Sequence, residues 1–196
     1  MSDKIIRVGD FPIGEEERRA VSDVFDAGKI SEGEFTKRFE VEFAKKNGNR
    51  YCVAVSSGTS ALIAGLMSLI YSGKIKKGSK VITTPLTYIS TVNAIVLAGL
   101  EPVFVDIEES GLNISAAKIE KLLEKGSAEE YSLILPVHLM GYPCDMKRIN
   151  EIAEKYGLLV FEDAAQAHGT KIGDKKTGNF SIMSVYSFYI AHNIQV

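Results

Sequence analysis

The chain has 196 residues, is 45% hydrophobic and carries a formal net charge of −2. That length and apolar content suit one full-sized core, so a single domain is the default. The near-neutral balance gives no electrostatic reason to expect a nucleic-acid or membrane partner, and the longest apolar run, "ALIAGLMSLIY", is too short to span a bilayer.

The N-terminus, "MSDKIIRVGDF", lacks the apolar run of a secretory signal. Cys52 and Cys144 have no metal-ligand spacing, and Cys52 falls in an apolar strand pattern, where a reduced core thiol is expected. A soluble cytoplasmic protein is the expectation. Glu15 to Ala27 reads as a helix. A second helix carries Phe35, Phe39 and Phe43 at i, i+4 and i+8, with Gly48 as its stop. From there strands and helices alternate. "YCVAV" (51–55) reads as a strand and "SALIAGLMSLIYSG" as a buried helix ended by Gly73. "KVITT" is a strand stopped by Pro85, "YISTVNAIVLAG" a helix ended by Gly99, and "PVFVD" a strand. Ser115 is positioned to cap "AAKIEKLLEK". "YSLILPV" is a strand, "DMKRINEIAEKYG" a helix with Asp145 as cap, and "LLVFED" a strand. After the polar loop "GDKKTGN", "SIMSVYSF" is the last strand.

This alternation predicts an α/β fold, three layers deep, with a mainly parallel sheet. The strands are continuous apolar runs, as required when helices cover both faces. Ligands in such sheets bind outside the carboxyl ends of the strands, and the chemically capable residues fall there. "SSGTSAL" places Gly58, Thr59 and Ser60 between a strand and a helix. Gly58 permits close backbone approach, and the first-turn amides and hydroxyls can bind a phosphate; a plain capped turn fits the same residues. "PLTYIS" puts Tyr88 at a strand exit, to stack on a planar group or simply to pack. "FEDAAQAHG" puts Asp163 and Gln166 past a strand. A carboxylate there can pair with a protonated heteroaromatic nitrogen, or cap a helix. His138 in "PVHLMGYPCDM" and His168 read as bracing or structural histidines. Ser187 and His192 stand five residues apart in "VYSFYIAHN".

Taken in order, these segments resemble the DegT-type nucleotide-sugar aminotransferase family, pyridoxal-phosphate (PLP) enzymes of fold type I. The likeness runs from "ISEGEFTKRFEVEFAKKNGNRYCVAVSSGTSALIAGL" through "VITTPLTYISTVNAI", "PVFVDIE" and "PVHLMGYPCDM" to "FEDAAQAHGT" and "VYSFYIAHN". It implies that Gly58, Thr59, Ser60 and Ser187 hold the cofactor phosphate, Tyr88 stacks on the ring, Asp163 binds the pyridine nitrogen and Gln166 approaches the ring hydroxyl. It puts His192 where the family keeps its cofactor-bearing lysine. An imidazole cannot form the covalent bond that a primary amine forms with PLP, but its pKa of about 6.5 leaves it a general base.

A subgroup of the family, the keto-deoxy-sugar 3-dehydratases, carries histidine at this position and uses pyridoxamine phosphate (PMP). The resemblance therefore implies a dehydratase-like enzyme of nucleotide-sugar, lipopolysaccharide-type biosynthesis. It would act on a nucleotide-linked keto-sugar, as a homodimer, with His192 as base. Two alternatives stand beside it. One is a sugar aminotransferase using another amine, for which Lys171, Lys175 and Lys176 lie in a polar loop. The other is a non-catalytic cofactor-binding fragment. The expected layout is one PLP-binding large domain over 1–196, with N-terminal helices over about 15–47, an α/β core over about 51–196, and no C-terminal small domain.

Overall fold

A computed structural model describes residues 13–192, so the N-terminal stretch examined for a signal and the residues after His192 lie outside it. Two helices come first, α1 (Glu15–Asp26) and α2 (Glu34–Asn47). The Glu17 carboxylate accepts the Gly14 amide proton at 2.8 Å, which satisfies one of the unpaired donors at the start of α1. α2 ends where Gly48 turns left-handed, at φ 80°, a conformation that glycine reaches without steric cost.

The remaining helices are α3 (Gly58–Tyr71), α4 (Ile89–Leu97), α5 (Ala116–Lys125) and α6 (Met146–Tyr156). The strands are β1 (Lys80–Thr83), β2 (Glu101–Phe104), β3 (Tyr131–Ile134), β4 (Leu159–Asp163), β5 (Lys171–Ile172), β6 (Lys175–Lys176) and β7 (Met183–Val185). Five of them form a parallel sheet in the order β2-β1-β3-β4-β7. The period-2 alternation of strands sorts their side chains into two cores. Val81, Leu133 and Phe161 pack with Leu62, Leu66, Ala94 and Ile95 from α3 and α4. Ile82, Ile134 and Val160 pack with Ile119, Leu123, Ile149 and Ile152 from α5 and α6. The fold is thus the expected three-layer α/β arrangement. Gly65 sets how closely α3 approaches the sheet, since a β-carbon there would lie 2.5 Å from the Phe161 ring. Ser115 and Asp145 cap α5 and α6 as their positions predict, accepting the amides of Lys118 and Arg148.

Three expectations need correction. Residues 51–55 form no strand. Their exposure alternates as in a strand, with Tyr51 and Val53 outward, but no neighbouring strand among the described residues supplies a ladder, and a strand exists only through its partner. Cys52 is accordingly half-buried outside the core. The strands predicted over 131–137 and 181–188 shorten to β3 and β7, although residues 135–138 still bond Ile82 and Asp163 alongside the sheet. The polar loop "GDKKTGN" contributes to a small antiparallel hairpin, β5–β6, whose two-residue turn begins at Gly173, φ 61°.

Candidate active site

At the carboxyl ends of the parallel strands lies a cavity of about 260 Å³. Gly58, Thr59, Tyr88, Asp163, Gln166, Ser187 and His192 line it, together with His138. They arrive from five connections: the start of α3, the β1–α4 turn, the segment after β3, the end of β4 and the chain after β7. Ser60 does not line the cavity. Its amide donates to the Ser57 hydroxyl at 3.1 Å, and its own hydroxyl bonds those of Ser56 and Ser57. A second hollow, of about 330 Å³, sits at the opposite strand ends, lined by Lys76, Lys77, Lys80, Glu101, Glu129 and Glu130. Lys80 pairs with Glu130 there, and it holds none of the candidate residues.

One end of the cavity is built for an anion. Gly58 and Thr59 begin α3, where first-turn amides have no intrahelical acceptor and the helix dipole favours negative charge. A β-carbon at Gly58 would stand 2.8 Å from Cβ of Ser187. The absence of that carbon lets the helix start and the Ser187 hydroxyl converge on one space. The Thr59 hydroxyl is oriented by that of Ser90 at 2.7 Å.

The other end is acidic. Asp163 is buried; its Oδ1 accepts the Ala165 amide at 3.1 Å and its Oδ2 the Thr91 hydroxyl at 2.8 Å. Burial pushes its carboxyl above the ordinary carboxylate range, against the opposing pull of the Thr91 and Ala165 bonds. A carboxylate desolvated in this way gains most from a cationic partner. The start of α3 with the Ser187 hydroxyl, and the buried Asp163 carboxylate, have the chemistry to hold the phosphate and the ring nitrogen of a pyridoxal phosphate.

Around these groups stand braces. His138 is fully buried; its Nδ1 accepts the Cys144 amide at 3.1 Å, and its Nε2 bonds Glu162 Oε2 at 2.9 Å. Glu162 also accepts the amides of Gly178 and Phe180, both at 2.8 Å, and the Ser181 hydroxyl at 2.7 Å. Burial alone would raise its pKa, but the bonds from His138, Ser181 and Gly178 outweigh that and hold it below the ordinary range. Gln166 Oε1 accepts the Met140 amide at 2.7 Å. His168 stays outside the cavity, against Phe43, Tyr186 and Phe188. His192 Nδ1 bonds the Ser187 carbonyl at 3.1 Å. Among the described residues no lysine lines the cavity. Lys175 instead lies over the Phe180 ring, and Lys176 donates to the Lys46 carbonyl.

Ser57, Ser90 and Thr91 also belong to the site and were not singled out in the sequence. Ser57 lay within a quoted motif as a helix cap. Thr91 carries no local signal, because its part depends on α4 crossing the end of β4.

The model of the DegT/DnrJ/EryC1/StrS aminotransferase family matches residues 12–196. The chain is 38% identical over 182 residues to the spore coat polysaccharide biosynthesis protein SpsC of Bacillus subtilis, covering 93% of this chain and 45% of that one. It is 39% identical over 175 residues to GDP-perosamine synthase of Escherichia coli O157:H7, covering 88% and 46%. Among solved structures, the E. coli GDP-4-keto-6-deoxy-D-mannose-3-dehydratase with bound hydrated PLP superposes with a TM-score of 0.87 at 28% identity, covering 96% of this chain and 48% of that one. The chain thus spans about half the length of the curated relatives it matches.

Proposed function

The chain belongs to the DegT/DnrJ/EryC1/StrS aminotransferase family, and from that premise we propose that it is the cofactor-binding large domain of a PLP- or PMP-dependent enzyme of nucleotide-sugar biosynthesis. The reaction proposed is 3-dehydration of a 4-keto-6-deoxy sugar carried on a nucleotide, in the cytoplasm and by a homodimer. The observation that carries this reading is His192 on a cavity wall with no lysine beside it among the described residues. Similarity to a 3-dehydratase with bound hydrated PLP supports it.

When bound, the pyridine cofactor supplies an electron sink; the chain supplies everything around it. The α3 amides and the hydroxyls of Thr59 and Ser187 bind the phosphate, with Ser60 ordering the turn behind them. Asp163 holds the ring nitrogen protonated. Tyr88 covers the ring, and Gln166 stands toward its hydroxyl. His192 takes and returns a proton at the cofactor's C4′ carbon, the task of a general base.

The family's description favours an aminotransferase instead. A match over a whole domain reports scaffold, however, whereas the side chain at the reacting carbon decides the chemistry. Titration of the chain with PLP, followed by absorbance and borohydride trapping, separates the readings. Bound but untrapped cofactor is expected. Trapping on any lysine of the chain overturns the histidine-based reading.

A further inference from the structure

Resting on the reading of His192 as base, we infer that His168 is a positioning residue: acting through the Ser187 carbonyl, it fixes the proton of His192 on Nδ1 and makes Nε2 the atom that receives a proton.

The Ser187 carbonyl meets two imidazoles, His168 Nε2 at 2.8 Å and His192 Nδ1 at 3.1 Å. A carbonyl oxygen offers two lone pairs and no proton, so both ring nitrogens must donate to it. A neutral imidazole has one protonated and one bare nitrogen. His168 is therefore the Nε2–H tautomer and His192 the Nδ1–H tautomer, with Nε2 basic. The third histidine, His138, has the opposite assignment to His192. Its Nδ1 accepts the Cys144 amide, which leaves the proton on Nε2, facing Glu162. Of the three histidines in the chain, only His192, at the position of the family's lysine, is held with its proton on Nδ1.

The carbonyl accepts with or without His168; what His168 fixes is its orientation, because the His168 ring is itself held by packing. The His168 ring lies 5.0 Å from that of Phe188, 5.2 Å from Tyr186 and 6.2 Å from Phe43. Burial, with His192 nearby, lowers its pKa and keeps it neutral. The His192 backbone is tied as well, its amide donating to the Tyr189 carbonyl at 2.8 Å. When Nε2 takes a proton, the Nδ1–H bond to Ser187 becomes charge-assisted and strengthens. The arrangement parallels the carboxylate behind the histidine of a hydrolase triad, with a neutral peptide oxygen in place of the carboxylate. A carbonyl cannot be deleted by side-chain substitution, so His168 is the experimental handle.

The test uses the 196-residue chain labelled with ¹⁵N-histidine, without cofactor, about two units above the ordinary imidazole pKa of about 6.5. Two-bond ¹H–¹⁵N correlations identify which ring nitrogen is protonated. Two rings are expected in the Nε2–H form and one in the Nδ1–H form, the last disappearing in His192→Asn. In His168→Phe, which keeps the aromatic packing but not the donor, the His192 signals are expected to average between tautomers. In His168→Gln, whose amide nitrogen can occupy the Nε2 position, the Nδ1–H pattern is expected to persist. An Nε2–H signal for His192 in the parent overturns the inference, as does an unaltered His192 pattern in His168→Phe. The measurement needs no turnover. If His192 is Nδ1–H yet proton exchange at C4′ survives His192→Asn, the tautomer assignment stands and the proposed base falls; the converse pattern fails only the inference.

Discussion

The Thr91 hydroxyl donates to Asp163 Oδ2 at 2.8 Å, in a setting where Asp163 is only 4% exposed. The bond tethers α4 to the end of β4, but it does not offset the desolvation of the carboxylate, whose pKa is raised by burial. The folded value thus lies above the unfolded one, near 3.9. The fold is favoured while the group is protonated, and that advantage is lost as pH rises through the folded value. At neutral pH the ionised carboxylate is a cost to the cofactor-free protein. Asp163→Asn can still bond both Thr91 and Ala165 and removes the charge. Its unfolding midpoint without cofactor is expected to equal or exceed the parent's, while PLP affinity falls about tenfold or more, since charge-assisted bonds contribute about 1.5–3 kcal/mol. Thermal melts paired with PLP titration check this. Equal PLP affinity in parent and variant removes Asp163 from the site.

Gly58→Ala probes the other end of the cavity. The added carbon would meet Cβ of Ser187 at 2.8 Å, an atom set by the backbone rather than a free rotor. Overpacking of this kind costs about 1–3 kcal/mol, about 2–12 °C in melting temperature for a chain of this size. The loss of stabilisation by inorganic phosphate or PLP should exceed the loss of intrinsic stability, because the shift opens the cradle itself. Calorimetry with and without ligand measures both.

The legibility of this protein in its sequence divides along physical lines. α5 and α6 could be placed because Ser115, Asp145 and Gly157 act locally on the backbone. The sheet layers followed from apolar runs whose alternate residues, Val81 and Ile82, serve opposite cores. Residues 51–55 could not be placed, because their pattern is that of a strand and only a partner decides whether a ladder forms. Asp163, Gln166, Ser187 and His192 were visible as reactive groups at strand ends. Of the braces, His138 was read as one, but its partners were not: the bonds of Thr91 to Asp163 and of Glu162 to Gly178 and Phe180 join residues far apart in the chain. Ser60, read as a phosphate ligand, turned inward to its own helix cap.

Glu162 predicts an acid limit to stability. Its folded pKa is lowered, so its contribution is complete above the unfolded value of about 4.3 and is lost as pH falls through the folded value. Glu162→Gln leaves His138 Nε2–H and the 178–181 loop short of a charged acceptor. Leaving buried donors short of an acceptor in this way costs about 1–3 kcal/mol. Denaturant melts across pH are expected to show the parent losing stability below about pH 4, with a shallower acid slope in the variant.

Tyr88, Ile89, Val96 and Leu97 are exposed around α4, Leu97 at 67%. Clustered apolar surface of this kind favours association, and Tyr88 connects it to the cavity rim. Sedimentation is expected to show a dimer or larger species, with Leu97→Glu shifting it toward monomer. A stable monomer of the parent at high concentration counts against the proposed homodimer.

The proposed chemistry turns on His192. In the complete enzyme, His192→Asn should retain cofactor binding, because the α3 amides and Asp163 lie on other elements and the Ser187 hydroxyl is left in place. It should lose substrate-dependent proton exchange at C4′, by the 10²- to 10⁴-fold typical of removing a general base. An asparagine can offer an amide donor to the Ser187 carbonyl but has no basic nitrogen, so binding and proton transfer separate in this variant. His192→Lys restores a primary amine at the position, and PLP should then become fixed by a covalent bond that borohydride traps, with a shift toward amino-group transfer. Exchange measured by loss of label from C4′, alongside mass spectrometry of the borohydride-treated protein, reads both effects. Parent-like exchange in His192→Asn would place the base elsewhere and leave the dehydratase reading without its central residue.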